Sequence, residues 1–387
     1  MTKNCFSSAM VFIVDEGLMT AFETGTITAV FYIVYAIIQV LGGFLTDKRN
    51  PEIFITLGLI GAGICNILIY FFNTSYIAVL LIWSLNAIIQ APFWPATFKI
   101  ISTMLHPCDR QKGLLIATLG SPLGMVASYG VAAIIPTWQV SFLISGFGLF
   151  AFAIYWQIAF LGIKPRLLED EIEHIDYGQS AKKEDKGLFA LMLSSGLLFI
   201  LIVTLIRCMF DIGIKSLTPT MINACYENIS PTLATALNII VLVSGVFGPF
   251  VAQIIYPRLI RNEMLACAVF FLAALPLTVV ISFVGRINYW FIIIALALMV
   301  MFISAAGLFT TSLVAAKFNK WGKGATVAGI LNCLAALGIV AANFIFTALA
   351  EGTGWSFTTG VWIIMVAVGT ALCFVSVPIW KRFSKNS

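Results

Sequence analysis

The run KPRLLEDEIEHIDYGQSAKKEDK, Lys164–Lys186, is the one place in this 387-residue chain where charge is dense. On both sides lie long apolar stretches broken only by short polar turns. A block of mixed charge in that setting reads as a solvated linker. It divides the chain into two parts of similar design, so the expected domains are a helix bundle over 1–162, a linker over 163–187 and a second bundle over 188–387.

Sixty per cent hydrophobic residues, 10% charged residues and a mean hydropathy of +1.02 exclude an ordinary soluble domain. A spanning helix needs about 20 mostly apolar residues. Eleven stretches meet that length: 25–45, 53–72, 75–102, 113–135, 139–162, 188–214, 233–256, 263–284, 288–316, 323–350 and 356–380. Backbone polar groups in lipid must be satisfied within their own segment, so these are helices. A twelfth stretch, 4–14, is too short, and Lys3 beside it would lie at membrane depth. The expected fold class is an all-α membrane protein of two six-helix bundles whose first helix is incomplete in this chain, its first half missing through truncation or a misplaced start.

The net charge of +5 could point to nucleic acid, but its distribution argues against such a partner. With the short helix counted first and the turn at 46–52 in the cytoplasm, 17 of the 22 Lys and Arg lie on the cytoplasmic side and only Arg286 lies outside. That bias is the positive-inside rule, and it predicts a multi-pass protein of the plasma membrane with both termini cytoplasmic. Lys3, Lys99, Arg207 and Lys215 remain, all inside helices, against one acid at depth, Asp211. About three uncompensated positive charges are therefore expected in the membrane, a cost that an anionic solute would offset.

The eight cysteines contain no CxxC pair, and His106 and His174 fall in separate predicted loops. Disulfides, a metal site and a cofactor are not expected. Gly322-Lys323-Gly324 lacks the rest of a phosphate-binding loop, and an intramembrane enzyme would need more acids or histidines at depth than Asp211 supplies. The chain is not read as an enzyme.

Four stretches carry chemistry. Tyr32, Tyr35 and Gln39 share one helix face. Their helix ends in Gly42-Gly43-Phe44-Leu45-Thr46-Asp47-Lys48-Arg49-Asn50-Pro51, with a degenerate second copy at Tyr256–Glu263. The next stretch runs from Gln90 through Pro92, Phe93, Trp94 and Pro95 to Lys99, where two prolines kink the span. Arg207, Asp211 and Lys215, four residues apart, line one face ahead of Thr218-Pro219, which is expected to end or kink the helix. Asn332 and Asn343 are the polar members of a late span, and Gly120-Ser121-Pro122-Leu123-Gly124 reads as a helix-packing face.

Gly43, Leu45, Asp47 and Lys48 resemble the Gly-x-Leu-x-Asp-Arg signature loop of the major facilitator superfamily, with Lys48 in place of the arginine. Gln90, Trp94, Pro95 and Lys99 resemble the Gln-x-x-Gly-Trp-Pro-Pro-x-x-Arg run of its organophosphate:phosphate antiporters, the group of the glycerol-phosphate and hexose-phosphate transporters. Phe93 and Lys99 depart from that run, and Asp211 falls where the antiporters hold an essential arginine, whose first-half counterpart is Lys3. The resemblance implies a secondary transporter working by alternating access. Its cargo would be a small organic anion (a sugar phosphate or related organophosphate, or a carboxylate), with phosphate or a proton as coupling ion. The expected solute contacts are Lys3, Tyr32, Tyr35, Gln39, Gln90, Trp94, Lys99, Arg207, Asp211, Lys215 and Asn332, and a monomer in the lipid bilayer is expected. A non-transporting sensor of the same fold and an inactive truncated relative are the alternatives.

Overall fold

The computed structural model describes residues 2–134, 137–169, 187–229, 231–259 and 262–385. Every regular element among them is helical: α1 (Thr2–Asp15), α2 (Ala21–Lys48), α3 (Pro51–Phe72), α4 (Tyr76–Gln90), α5 (Phe93–Met104), α6 (Pro107–Ile134), α7 (Trp138–Glu169), α8 (Leu188–Ser195), α9 (Leu197–Cys208), α10 (Ile214–Cys225), α11 (Pro231–Leu259), α12 (Glu263–Ile281), α13 (Tyr289–Gly307), α14 (Val314–Ala316), α15 (Gly324–Thr353) and α16 (Trp355–Lys385). Among the described residues ten helical stretches are long and apolar enough to cross a membrane, and they match ten of the eleven expected spans. The expected span at 113–135 lies in α6, part of whose side chains fall outside the described residues.

Local chemistry sets the helix starts. Thr20 and Glu23 form a reciprocal capping box at α2, the Glu23 amide donating to Thr20 Oγ1 at 3.2 Å and the Thr20 amide to Glu23 Oε2 at 2.8 Å. Pro51 occupies the first turn of α3, where an amide is not needed. Asn262 Oδ1 accepts the Met264 and Leu265 amides at 3.0 Å each to start α12. The expected proline kink falls at Ala91-Pro92, between α4 and α5.

The chain divides into two compact units, one of Met1–Lys183 with Asn319–Cys333, the other of Glu184–Phe318 with Leu334–Ser387. The expected linker begins inside a helix, since α7 continues to Glu169, and its residues 170–186 lie outside the described ones. In the first unit Phe6, Phe31, Trp83, Trp138 and Phe142 interlock as a buried aromatic core. In the second, Phe210, Phe346 and Trp362 do the same. Gly248 lets α11 approach α13 so closely that a Cβ there would lie 2.5 Å from the Met301 carbonyl oxygen.

Of the two outcomes expected at Thr218-Pro219, an end or a kink, the structure rules out the end: α10 carries Pro219 in its interior and continues to Cys225. A proline frees the carbonyl four residues before it. Here that carbonyl, of Lys215, accepts from Asn238 Nδ2 at 2.9 Å. The replacement partner offsets the lost ladder bond, so the helix goes on.

Candidate functional site

The second unit gathers Arg207, Asp211 and Lys215, as their spacing required, around one carboxylate. Lys215 Nζ donates to Asp211 Oδ1 at 2.5 Å and Arg207 Nη1 to Oδ2 at 3.2 Å. Ser304 of α13 donates its hydroxyl to Oδ1 at 2.6 Å and lies 3.5 Å from Lys215 Nζ. The three ionised side chains are 8%, 17% and 15% exposed in chain order. Two cations and one anion leave a single net positive charge in a nearly dry setting.

The helices around this cluster are irregular. Between Arg207 and Lys215 the chain widens into a π-helical turn, Met209–Gly213, and the facing helix does so at Leu308–Leu313. Such turns break the regular ladder and are frequent at functional sites. Two glycines make the space for the charges: a Cβ on Gly245 would sit 2.7 Å from Lys215 Nζ, and one on Gly307 would sit 3.0 Å from Arg207 Nη1. Arg207 Nη2 also donates to Cys208 Sγ at 2.6 Å, while its Nε finds no acceptor among the described residues.

The first unit holds a different arrangement. Asp47 of the signature loop caps the first turn of α15: Oδ1 accepts the Ala325 amide at 3.0 Å, and Oδ2 accepts the Thr326 amide at 2.7 Å and its hydroxyl at 2.5 Å. A carboxylate on helix N-terminal amides is favoured by hydrogen bonding and by the helix dipole. Gly43 permits the approach, because a Cβ there would lie 2.5 Å from the Ala325 carbonyl oxygen. Lys48 sits over the Phe44 ring, 4.1 Å from its centroid.

Lys99 lies against the end of α2. Its ammonium donates to the carbonyls of Thr46, Asp47 and Arg49 at 2.8, 3.1 and 3.2 Å. A lysine has three donors, and here all three go to the C-terminal end of α2, whose carbonyls they cap. Gln39, buried, donates Nε2 to the Ala91 carbonyl at 3.0 Å, the oxygen that Pro95 leaves without its amide partner. Gln90 Nε2 donates to Asn86 Oδ1 at 2.7 Å. Tyr32 and Tyr35 pack beside Phe31 in the aromatic core, the Tyr35 ring stacked on it at 5.8 Å. Trp94 is half-buried and Asn332 lies in α15, in the stretch grouped with the first unit. The side chain of Lys3, and Asn343 likewise, lie outside the described residues. Of the expected surplus of about three positive charges, the cluster of the second unit holds one and the Lys99 ammonium on the α2 carbonyls another, while the side chain of Lys3 lies outside the described residues.

Ser304, Gly245, Gly307, Asn238 and Thr326 were not picked out from sequence. Ser304 and Thr326 carry no signal there, since a hydroxyl in a span usually bonds its own helix.

Among the described residues no group of three or more His, Cys, Asp or Glu could hold a metal ion. An outlying cavity of about 470 Å³ is lined by Tyr226, Glu227 and Tyr289 and contains none of the charged cluster. The Tyr226 hydroxyl there donates to the Ile287 carbonyl at 2.7 Å, and burial raises its pKa above the usual value.

Ten helices long and apolar enough to cross a membrane, among the described residues, with paired charges buried among them make this a multi-pass membrane protein. The sequence pattern of the Major Facilitator Superfamily matches residues 1–343, and the chain belongs to that superfamily of transporters. Its fold is similar to that of the transporter FucP solved in the outward conformation, with a TM-score of 0.68, 14% identity and 97% of each chain covered. Among curated relatives it is 31% identical over 109 residues to the membrane sensor protein UhpC of Salmonella typhimurium (28% of this chain, 24% of that one). It is 32% identical over 110 residues to a probable hexose phosphate transport protein of Chlamydia trachomatis (28% and 24%). The chain thus matches about a quarter of the length of these relatives.

Proposed function

We propose that the chain is a secondary transporter that moves a small organic anion by alternating access of the two membrane sides to the Arg207–Asp211–Lys215 cluster. The observation that carries the reading is the cluster itself. Ionised side chains in a membrane protein are costly and are kept where an ion or solute passes. Here two cations face one carboxylate, and Arg207 Nε still has a donor to offer. An arginine suits a planar carboxylate or a phosphate oxygen pair, and a lysine adds a point charge. A relative named a probable hexose phosphate transport protein supports an anionic sugar derivative as cargo.

In this reading the two bundles are residues 1–162 and 188–387, joined by 163–187 on the cytoplasmic side of the plasma membrane. Both termini are cytoplasmic, and the working unit is a monomer. The relative named a membrane sensor favours a second reading, in which the cluster binds its anion without carrying it across.

Counterflow in proteoliposomes separates the two. Labelled inorganic phosphate, a hexose phosphate and a hexuronate are offered to vesicles loaded with the same unlabelled compound. Transient accumulation of at least one, lost in Arg207→Ala, supports transport. Binding to the purified protein with no counterflow supports the sensor reading.

A further inference from the structure

The cavity of about 470 Å³ that stands apart from the charged cluster lies where two spans end. The span Leu197–Cys225 finishes there and the span Tyr289–Trp321 begins. Its level is therefore that of the lipid headgroups, where Tyr and Trp side chains gather. The Tyr226 and Tyr289 ring centroids lie 6.1 Å apart with their planes at 71°, so the two rings form a corner of aromatic wall. Trp290 supports that corner, its ring 5.3 Å from Tyr289.

The corner is fixed by the chain itself. The Tyr226 hydroxyl is held by the Ile287 carbonyl, in the connection between α12 and α13. Across the turn at Glu227 and Asn228, the Ile229 amide donates to the Tyr226 carbonyl at 3.1 Å and Asn223 Nδ2 to the Ile229 carbonyl at 2.9 Å. Gly285, at φ +78°, brings the connection so close that a Cβ there would lie 3.3 Å from the Cys225 carbonyl oxygen. A ligand entering a preformed cavity spends little on ordering it.

Glu227 is the one charged residue of the lining, is exposed, and joins no ion pair among the described residues. An anion would meet that carboxylate and gain nothing from the ring faces. An apolar ligand would leave the carboxylate unused. A cation gains from both, since a ring face within about 6 Å attracts it and the carboxylate neutralises it.

We propose that this cavity is a binding site for an organic ammonium group, walled by Tyr226 and Tyr289 and neutralised by Glu227. Lipid headgroups and free amines both carry that group. The inference is independent of the transport reading, because none of the cavity's residues belongs to the Arg207–Asp211–Lys215 cluster.

Cys225 lines the cavity and is half-buried, so its thiol reports on occupancy. The test uses the purified protein in dodecyl maltoside, with the exposed Cys108 and the half-buried Cys333 replaced by serine. Relative to a free thiol, Cys225 should prefer a trimethylammonium methanethiosulfonate to its sulfonate counterpart by about tenfold, and Glu227→Gln should erase the preference. Choline or ethanolamine, against sodium chloride at equal ionic strength, should slow the reaction of Cys225 with uncharged N-ethylmaleimide by about threefold or more. Tyr289→Leu and Glu227→Gln should each abolish that protection. Glu227 stands on an exposed turn, so its variant reads the site even where Tyr289→Leu fails to fold. Protection that survives Glu227→Gln overturns the role of the carboxylate. Nanodiscs separate the two sources of ammonium. With a lipid headgroup in the site, Cys225 reacts more slowly in phosphatidylcholine discs than in phosphatidylglycerol discs, and choline adds little in the former. With a free amine in the site, choline protects equally in both. No protection by either amine, together with equal rates in the two lipids, overturns the site.

Discussion

The side-chain amide of Asn238 donates to the Lys215 carbonyl at 2.9 Å, and that carbonyl is the one Pro219 leaves without an amide partner. The first unit repeats the device, with Gln39 serving the Ala91 carbonyl freed by Pro95. In both cases a side chain from a neighbouring helix gives the carbonyl that a proline frees a new donor.

Asn238→Ala leaves a buried carbonyl unsatisfied and should cost about 1–3 kcal/mol. Adding Pro219→Ala restores an amide four residues on, so the double variant should recover much of the loss. Thermal melting of the two single variants and the double one closes the cycle. Purely additive losses would show that the Asn238 bond is not a repair of the proline gap.

Arg207→Ala removes a charge-assisted hydrogen bond worth about 1.5–3 kcal/mol, so anion uptake should fall at least about tenfold. Arg207→Ala with Asp211→Ala should melt below Arg207→Ala alone, because the single variant keeps a neutral Asp211–Lys215 pair and the double one leaves the Lys215 ammonium buried without its anion. A double variant that melts no lower would show that Asp211 and Lys215 are not coupled.

Gly245→Ala and Gly248→Ala lie one turn apart on α11 and should fail in different ways. A methyl on Gly245 meets the flexible end of Lys215, which can swing away from Asp211. Uptake should drop, and melting should fall by the loss of the Lys215–Asp211 pair, a loss that Asp211→Asn should largely mask. A methyl on Gly248 meets α13 backbone at Met301 and Ala305, which cannot swing away, and should cost about 1–3 kcal/mol of stability. Similar melting temperatures for the two variants in the Asp211→Asn background would contradict this account.

Asp47→Ala removes the cap on α15 and should destabilise by about 0.5–2 kcal/mol, with Asp47→Asn milder because its remaining oxygen still accepts. Lys99→Ala should lower the melting temperature too, since it strips three carbonyls at the end of α2 of their donor. A Lys99→Ala protein that melts as wild type but cannot bind anion would place Lys99 in the solute site.

The amino-acid sequence by itself determined the class and most of the helices, because membrane spans are set by the length of apolar runs and those runs are contiguous in the chain. It also determined that Arg207, Asp211 and Lys215 share a face, since a four-residue spacing brings side chains together on any helix. Only the tertiary structure decided that Ser304, 93 residues along the chain, joins them. The same holds for Lys99 and Gln39, whose partners stand 50 or more residues away. Periodicity governs which residues meet within a helix, whereas packing decides which helices meet, and a buried polar group takes whichever partner that packing brings within reach.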